Sequence, residues 1–216
     1  MNLEYARNQM IRQQVRAWEV LDDRVLDTLQ TVPREAFVPE QFRGAAFADL
    51  EIPLDHGQAM MAPKIEGRLL QALHVDAADR VLEIGTGSGF LTACLGKLAG
   101  TVVSVDIFAD FTAAATRRLE AVGTDNVELL TADALELKRA DEFDAIAVTG
   151  SVPELDEHFI RMLRPGGRLF IVTGRDPVME AQLITLTSPG HWTQQALFET
   201  SLTPLINADK PAPFVL

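Results

Sequence analysis

Arg80-Val-Leu-Glu-Ile-Gly-Thr-Gly-Ser-Gly-Phe90 is the stretch on which the reading of this chain turns. Arg80 to Ile84 form a short, mostly apolar run, and glycines then stand at 85, 87 and 89. A helical pattern from Leu91 to Leu98 follows directly. Strand, glycine turn and helix form the opening unit of an open α/β sheet, where ligands sit at the carboxyl ends of strands at the point the winding reverses. Glycines at such a turn permit positive φ and let a ligand approach the backbone closely.

Working outward, the same alternation continues. Thr101-Val-Val-Ser-Val105 reads as a second strand, Val127 to Thr131 as a third, Asp144-Ala-Ile-Ala-Val148 as a fourth and Arg168-Leu-Phe-Ile-Val172 as a fifth. Helices are expected from about Phe108 to Val122 and around Leu155 to Leu163, the latter ending at Arg164-Pro-Gly-Gly167. Strands that alternate with helices predict a parallel sheet covered on both faces. Residues 179–187 and 193–205 read as two further strands, joined through Ser188-Pro-Gly190 as an antiparallel hairpin. The expected fold is α/β: a doubly wound, mostly parallel seven-stranded sheet with a C-terminal antiparallel hairpin and an N-terminal helical extension.

That extension carries Ile11, Val15 and Trp18 at helical spacing, then Asp22 as an N-cap before Val25, Leu26 and Leu29. Pro33 and Pro39 interrupt the pattern. Residues 44–62 show no sustained period and read as a long loop, a feature that in compact domains is often functional. Pro63 can open the next helix at its first position, with Ile65, Leu69, Leu70 and Leu73 on its apolar face. The chain divides into residues 1–62, extension and loop, and residues 63–216, the ligand-binding domain, in one compact unit. The proline-rich end from Ala208 is expected to fray.

Composition narrows the function classes. A 216-residue chain with 47% hydrophobic and 23% charged residues can bury a full core. Acidic residues outnumber basic ones 31 to 19, a net charge of −12, and the sparse Arg161, Arg164 and Arg168 are the nearest thing to a basic run. Phosphate-backbone binding needs a basic footprint, so no nucleic-acid partner is expected. Cys94 has no second cysteine for a disulfide or thiolate site, and reads as a small buried residue. His74, His158 and His191 lack metal-ligand spacing, so no metal is expected. The first residues lack the apolar stretch of a secretory signal and no apolar run would cross a bilayer, so the cytoplasm is the expected compartment and no membrane span is expected. The oligomeric state is not legible.

Three ligand classes use a glycine loop at this place. A dinucleotide loop wants Gly-x-Gly-x-x-Gly, and Phe90 stands where its third glycine belongs. A P-loop needs Gly-Lys-Ser/Thr, which is absent. Glu83-x-Gly85-x-Gly87-x-Gly89 resembles the first motif of S-adenosylmethionine-dependent methyltransferases. Asp106, at the end of the second strand and about 20 residues past the loop, is placed to accept bonds from ribose hydroxyls. Asp133 follows the third strand; it is either an adenine contact or a turn residue capping a helix. Glu83 is placed to reach a cationic methionine end, directly or through water.

Further segments sharpen the resemblance. Val32-Pro-Arg-Glu-Ala-Phe-Val-Pro39, Ala46-Phe-Ala-Asp-Leu-Glu-Ile-Pro53, His56-Gly-Gln58, Pro63, Asp125-Asn-Val-Glu128, Phe143-Asp144, Val148-Thr149, Pro153 and Leu163-Arg-Pro-Gly-Gly-Arg-Leu169 resemble the protein-L-isoaspartate O-methyltransferases. The resemblance runs from about residue 6 to about 205. It implies a Rossmann-like class I methyltransferase fold, with S-adenosyl-L-methionine as cofactor and S-adenosyl-L-homocysteine as its product. It also implies isoaspartyl polypeptides as acceptors, methylated to a labile ester that permits repair through a succinimide. The implied cofactor-binding residues are Glu83, Gly85, Thr86, Gly87, Gly89, Asp106, Ile107, Asp133 and Ala134.

One loop departs from the family. Where it reads Gly-Gln-Thr-Ile-Ser, with the serine treated as the active-site residue, this chain reads Gly57-Gln-Ala-Met-Met61. Gln58, Ala59, Met60 and Ser151 are the expected substrate-loop residues. Met61 stands at the serine's position; with His56 and Thr149 it makes up the candidate catalytic set. His56 is either a group that orients or deprotonates a nucleophile or a loop histidine bonded to backbone. Thr149 and Ser151 either bind substrate or satisfy the loop, and Met60 and Met61 either touch substrate or pack in the core. Methyl transfer to a carboxylate needs no general base, since the acceptor is already ionised near neutral pH. Four readings stay open: an isoaspartyl methyltransferase, a methyltransferase for a small hydrophobic acceptor, a cofactor-binding protein without turnover, and a nicotinamide dehydrogenase, which Phe90 disfavours.

Overall fold

The computed structural model describes residues 3–208. The chain opens with α1 (Leu3–Met10), which widens into a π-helical turn over Ile11–Val15 and tightens into a 3₁₀ turn over Arg16–Trp18. Glu19, at φ 63°, ends it in the left-handed region. Asp22 then caps α2 (Asp23–Thr31), its side chain accepting from the Arg24 N–H. The helix start read at Asp22 is therefore formed by the expected hydrogen bond.

Residues 44–62, expected as a long loop, contain a short antiparallel pair, β1 (Ile52–Pro53) and β2 (Ala59–Met60). Ile52 and Met60 face each other and are both buried. Two residues per strand leave no period to read, which is why the pair is invisible in the sequence. Pro63 does open α3 (Pro63–Leu73).

The central sheet starts with β3 (Arg80–Ile84), followed by α4 (Phe90–Leu98), β4 (Thr101–Asp106), α5 (Ala109–Ala121) and β5 (Val127–Thr131). The chain then crosses back to β6 (Phe143–Val152), α6 (Glu157–Arg161) and β7 (Leu163–Arg175). β8 (Val178–Ser188) and β9 (His191–Glu199) form the terminal hairpin. The strand order is β5-β4-β3-β6-β7-β8-β9; β3 to β7 run parallel, and β8 and β9 pair antiparallel. This is the mostly parallel seven-stranded sheet that the alternation implied.

Alternation along each strand splits the core into two clusters. Val81 and Val102 join one with α3, α4 and the N-terminal Met10 and Val15, while Leu82 and Val103 join the other with Phe159 and Ile160 of α6. Expected boundaries shift, with β6 and β7 longer than the runs read for them, and two changes are large. The helix expected over 155–163 shrinks to five residues, because β7 begins at Leu163 and takes in the Pro-Gly-Gly stretch. The last strand, expected to reach 205, stops at Glu199; Leu202 turns into the core and Ser151 pairs with Pro204 as an isolated parallel bridge. Pro204 has no N–H to continue an antiparallel ladder. The expected fraying of the end from Ala208 falls almost wholly on residues outside those described.

Candidate active site

β4 lies on one side of β3 and β6 on the other, so the winding reverses at β3 and leaves a crevice at the carboxyl edge. An open pocket of about 820 Å³ lies there. One part of its wall is the glycine turn, Ile84, Gly85 and Gly87; another is Asp106, Ile107 and Phe108 at the end of β4. Asp133 and Ala134 follow from β5, Thr149 and Gly150 from β6, and Gln58, Ala59 and Met61 from the irregular N-terminal loop.

The glycines are required by geometry. Gly85 has φ 98°, and a Cβ there would stand 2.1 Å from Thr149 Oγ1. That hydroxyl donates to the carbonyls of Ile84 and Gly85, each at 2.9 Å, so Thr149 lines the pocket with its hydrogen committed to the turn. Gly87 has φ 50°, and its N–H donates to Asp106 Oδ2 at 2.8 Å. Gly89, at φ 87°, sits at the start of α4, where a Cβ would approach Ala115 at 3.0 Å; it serves helix packing and is not part of the wall.

Asp106 accepts a second bond at Oδ1 from the Phe108 N–H, at 3.0 Å. Its surroundings desolvate it and push its carboxyl above the usual range, while the backbone N–H groups of Gly87, Phe108 and Ile107 pull it back. A carboxylate has about four acceptor positions, so each oxygen keeps capacity for a ligand hydroxyl. Asp133 lines the pocket too, yet caps the turn Ala134–Glu136 through the Leu135 N–H and receives Asn207 Nδ2 at 2.8 Å. Each of its oxygens thus accepts one bond, as those of Asp106 do.

Glu83 lies behind the wall. It is fully buried, and its Oε2 accepts from the Thr92 and Ser104 hydroxyls, while Oε1 has no partner among the described residues. Burial pushes its carboxyl up to about 8, against the pull of the hydrogen bonds from Ser104 and Thr92. Thr86 is buried beside it and bonds Ser104 Oγ at 2.6 Å.

The loop 57–61 is held from behind by Arg34. Its guanidinium is fully buried, donates to the Met61 carbonyl at 2.8 Å and the Ala46 carbonyl at 2.9 Å, and pairs with Glu66. Burial pushes the Glu66 carboxyl up and Arg34 pulls it down. Arg34 also stacks over Phe90, 4.7 Å from the ring centroid. Met61 and Ala59 touch both the main pocket and a smaller adjoining pocket of about 320 Å³; Met60, buried in the core, reaches only the smaller one.

Two candidates stand apart from the pocket. Ser151 is buried, and its hydroxyl donates to the Leu202 carbonyl at 2.8 Å, tying down the C-terminal segment. His56 is turned outward and hydrogen-bonds Asp110 Oδ2 through Nε2 at 2.8 Å. Other wall residues escaped the sequence reading: Glu51, Leu54, Phe111 and the segment Leu202 to Ile206. Phe111 carried a readable signal, since it lies one helical turn past Phe108 on α5. The C-terminal segment carried none, because only tertiary folding brings it to β6.

Comparison with known proteins places this arrangement. The family model for protein-L-isoaspartate(D-aspartate) O-methyltransferase matches residues 5–210. The chain is 36% identical over 211 residues to protein-L-isoaspartate O-methyltransferase 2 of Pelobacter propionicus, covering 96% of this chain and 93% of the relative. It is 35% identical over 201 residues to the protein-L-isoaspartate O-methyltransferase of Koribacter versatilis, covering 93% and 90%. Its fold matches a Plasmodium falciparum crystal structure, described as a protein-L-isoaspartate O-methyltransferase in complex with S-adenosyl-L-homocysteine. That match has a TM-score of 0.78 at 21% identity, over 95% of this chain and 98% of the other. A second solved protein-L-isoaspartate O-methyltransferase matches with a TM-score of 0.79 at 23% identity, over 92% of this chain and 65% of the other. With a glycine turn, an acidic strand end and an N-terminal loop meeting in one pocket, and sequence identity sustained over nearly the whole chain, the protein belongs to the protein-L-isoaspartate(D-aspartate) O-methyltransferase family.

Proposed function

We propose that this protein is an S-adenosyl-L-methionine-dependent methyltransferase that esterifies the free α-carboxylate of isoaspartyl residues in polypeptides, the first step of their repair. One observation carries the reading: in a member of this family, the glycine turn, Asp106 and the loop residues Gln58, Ala59 and Met61 line a single pocket at the carboxyl edge of the sheet.

The residues present fit the donor. The charged residues among those lining the pocket are Glu51, Asp106 and Asp133, all acidic, which suits a ligand with a cationic sulfonium. Gly85 and Gly87 leave a backbone cradle that side chains would fill. The free acceptor capacity of Asp106 suits ribose hydroxyls, with Ile107 and Ala134 flanking the adenine and Asp133 near its amino edge. When bound, the donor supplies an electrophilic methyl group and a good leaving group. The protein's own part is positional. An acceptor carboxylate is ionised near neutral pH, so no side chain has to take a proton. Holding nucleophile and methyl in line replaces base catalysis. Leu54, Met61, Phe111 and Leu205 form apolar wall that keeps competing water away. Thr149 and Met61 act through the shape of the wall, and Ser151 through the segment it holds.

A second reading rests on Ala59 and Met61, which make the acceptor side of the wall apolar: transfer to a small hydrophobic acceptor. The test is incubation with methyl-labelled S-adenosylmethionine and an isoaspartyl peptide, with small apolar alcohols, thiols and carboxylic acids in parallel. Label is expected in the peptide. Label in the small acceptors alone would replace the first reading with the second. Label nowhere, with donor binding intact, would make this a binding protein.

A further inference from the structure

His56 stands outside the pocket, yet it joins two parts of the pocket's wall. Its ring lies flat on Phe108, with centroids 4.0 Å apart and an angle of 4°, and meets Phe111 edge-on at 5.4 Å. Its Nε2 bonds Asp110 at 2.8 Å, and this contact holds the Asp110 carboxyl below its usual range. Its backbone is in the left-handed region at φ 57°, ψ 22°. A non-glycine residue stays there only where its surroundings over-determine it.

We propose that His56 is a positioning residue that latches the loop Leu54–Gln58 over the donor pocket, an inference that rests on the donor reading given above. The loop behaves as one piece, because the Leu54 N–H donates to the Gln58 carbonyl at 2.8 Å across its base. Its two ends, Leu54 and Gln58, line the pocket, and Leu54 packs where a Gly87 side chain would begin, at 3.4 Å. The other end of the latch is the lip that follows β4. Phe108 and Phe111 both line the pocket, and the Phe108 N–H is bonded to Asp106 Oδ1. One exposed ring therefore fastens the loop to the backbone beside the carboxylate assigned to the ribose.

The latch is weak by construction. The ion pair is exposed on both sides, with 38% of the His56 and 57% of the Asp110 side chain open to solvent. Such pairs contribute little, and an aromatic stack adds a modest amount. A lid that must release product on each turnover calls for contacts of this size.

The test is the dissociation rate of labelled S-adenosylhomocysteine from the full chain, measured by rapid dilution, for the unaltered protein and for H56A, H56F and D110N. H56A loses both the stack and the ion pair, so dissociation should quicken roughly tenfold. H56F and D110N each lose one contact and should quicken it only about two- to fourfold. Association rates and the thermal midpoint of the ligand-free protein should hold, since a merely structural role would move the midpoint. The donor KM should rise while kcat at saturating donor stays. An H56A dissociation rate equal to that of the unaltered protein would overturn the latch alone. A collapse of kcat at saturating donor with dissociation unchanged would also overturn it, in favour of a chemical role for His56. Failure of the unaltered protein to bind S-adenosylhomocysteine would overturn the donor reading and the latch together.

Discussion

Glu83 shows how a single residue can match a motif and still sit elsewhere than the motif suggests. The sequence places it one residue before the glycine turn, within reach of a ligand. In the fold it faces inward, held by Thr92 and Ser104, with its carboxyl pushed up to about 8 by burial. Its ordinary value is 4.5, so the folded state holds this proton more tightly than the unfolded state does. The stabilisation from the buried neutral form is therefore complete below about 4.5 and is lost as pH rises through 8. E83Q keeps an acceptor oxygen for the two hydroxyls and removes the titration. Urea unfolding at a series of pH values should show E83Q gaining on the unaltered protein from pH 5 to 8, by at most ~1.4 kcal/mol per pH unit, and levelling above. A gap that does not change with pH would mean that Glu83 titrates normally. Gly85, Gly87 and Asp106 were legible as pocket residues because their placement follows from local spacing after a strand. The outward turn of His56 and the inward turn of Glu83 were not, because side-chain direction depends on what the fold brings alongside.

Among the elements, the segment after β9 was read least well. Its residues 200–205 were expected to extend the last strand, but they leave the sheet edge and cross to β6. Gly150 makes room for the crossing: a Cβ there would meet Leu205 at 2.7 Å. Ser151 fastens it, with its N–H donating to Thr203 and its hydroxyl to Leu202. The crossing supplies Leu202, Thr203, Leu205 and Ile206 to the pocket wall. S151A removes one buried hydrogen bond and should cost about 1 kcal/mol of stability. It should also raise the donor KM a few-fold with kcat little changed, since the wall is loosened and the alignment of the glycine turn is not. Thermal unfolding and steady-state kinetics check the two parts separately. The four parallel strands β3, β4, β6 and β7, by contrast, were each visible as apolar runs, because strands buried on both faces need no alternation to be recognised. Pairs such as β1 and β2 are too short to announce themselves.

At the scale of the whole molecule, the net charge of −12 gives the protein a field that acts differently on its two ligands. S-adenosylmethionine carries a net positive charge and is attracted; an acidic isoaspartyl peptide is repelled. Salt screens both effects, since the Debye length falls from about 30 Å at 0.01 M to about 8 Å at 0.15 M. Raising the ionic strength across that range should lower the KM for an acidic acceptor peptide several-fold and raise the KM for the donor, leaving a neutral peptide little affected. Movement of both constants in the same direction would point to a general effect of salt on the fold. The fold class, the succession of strands and helices and the place of the glycine turn were open to reading from sequence, because repeated strand–helix units constrain them many times over. The opposite wall was read only in part, because it joins two stretches far apart in the chain, the loop from Glu51 to Met61 and the C-terminal crossing.

The central claim is that a pocket walled by Ala59 and Met61 still accepts an isoaspartyl carboxylate. Its most direct test is the ratio of kcat/KM for an isoaspartyl peptide to that for its normal aspartyl isomer, read as base-labile methyl ester from labelled S-adenosylmethionine. A ratio of at least about a hundredfold, the scale at which a site distinguishes close isomers, is the expected result. A ratio near one, or no ester on either peptide, would contradict the account.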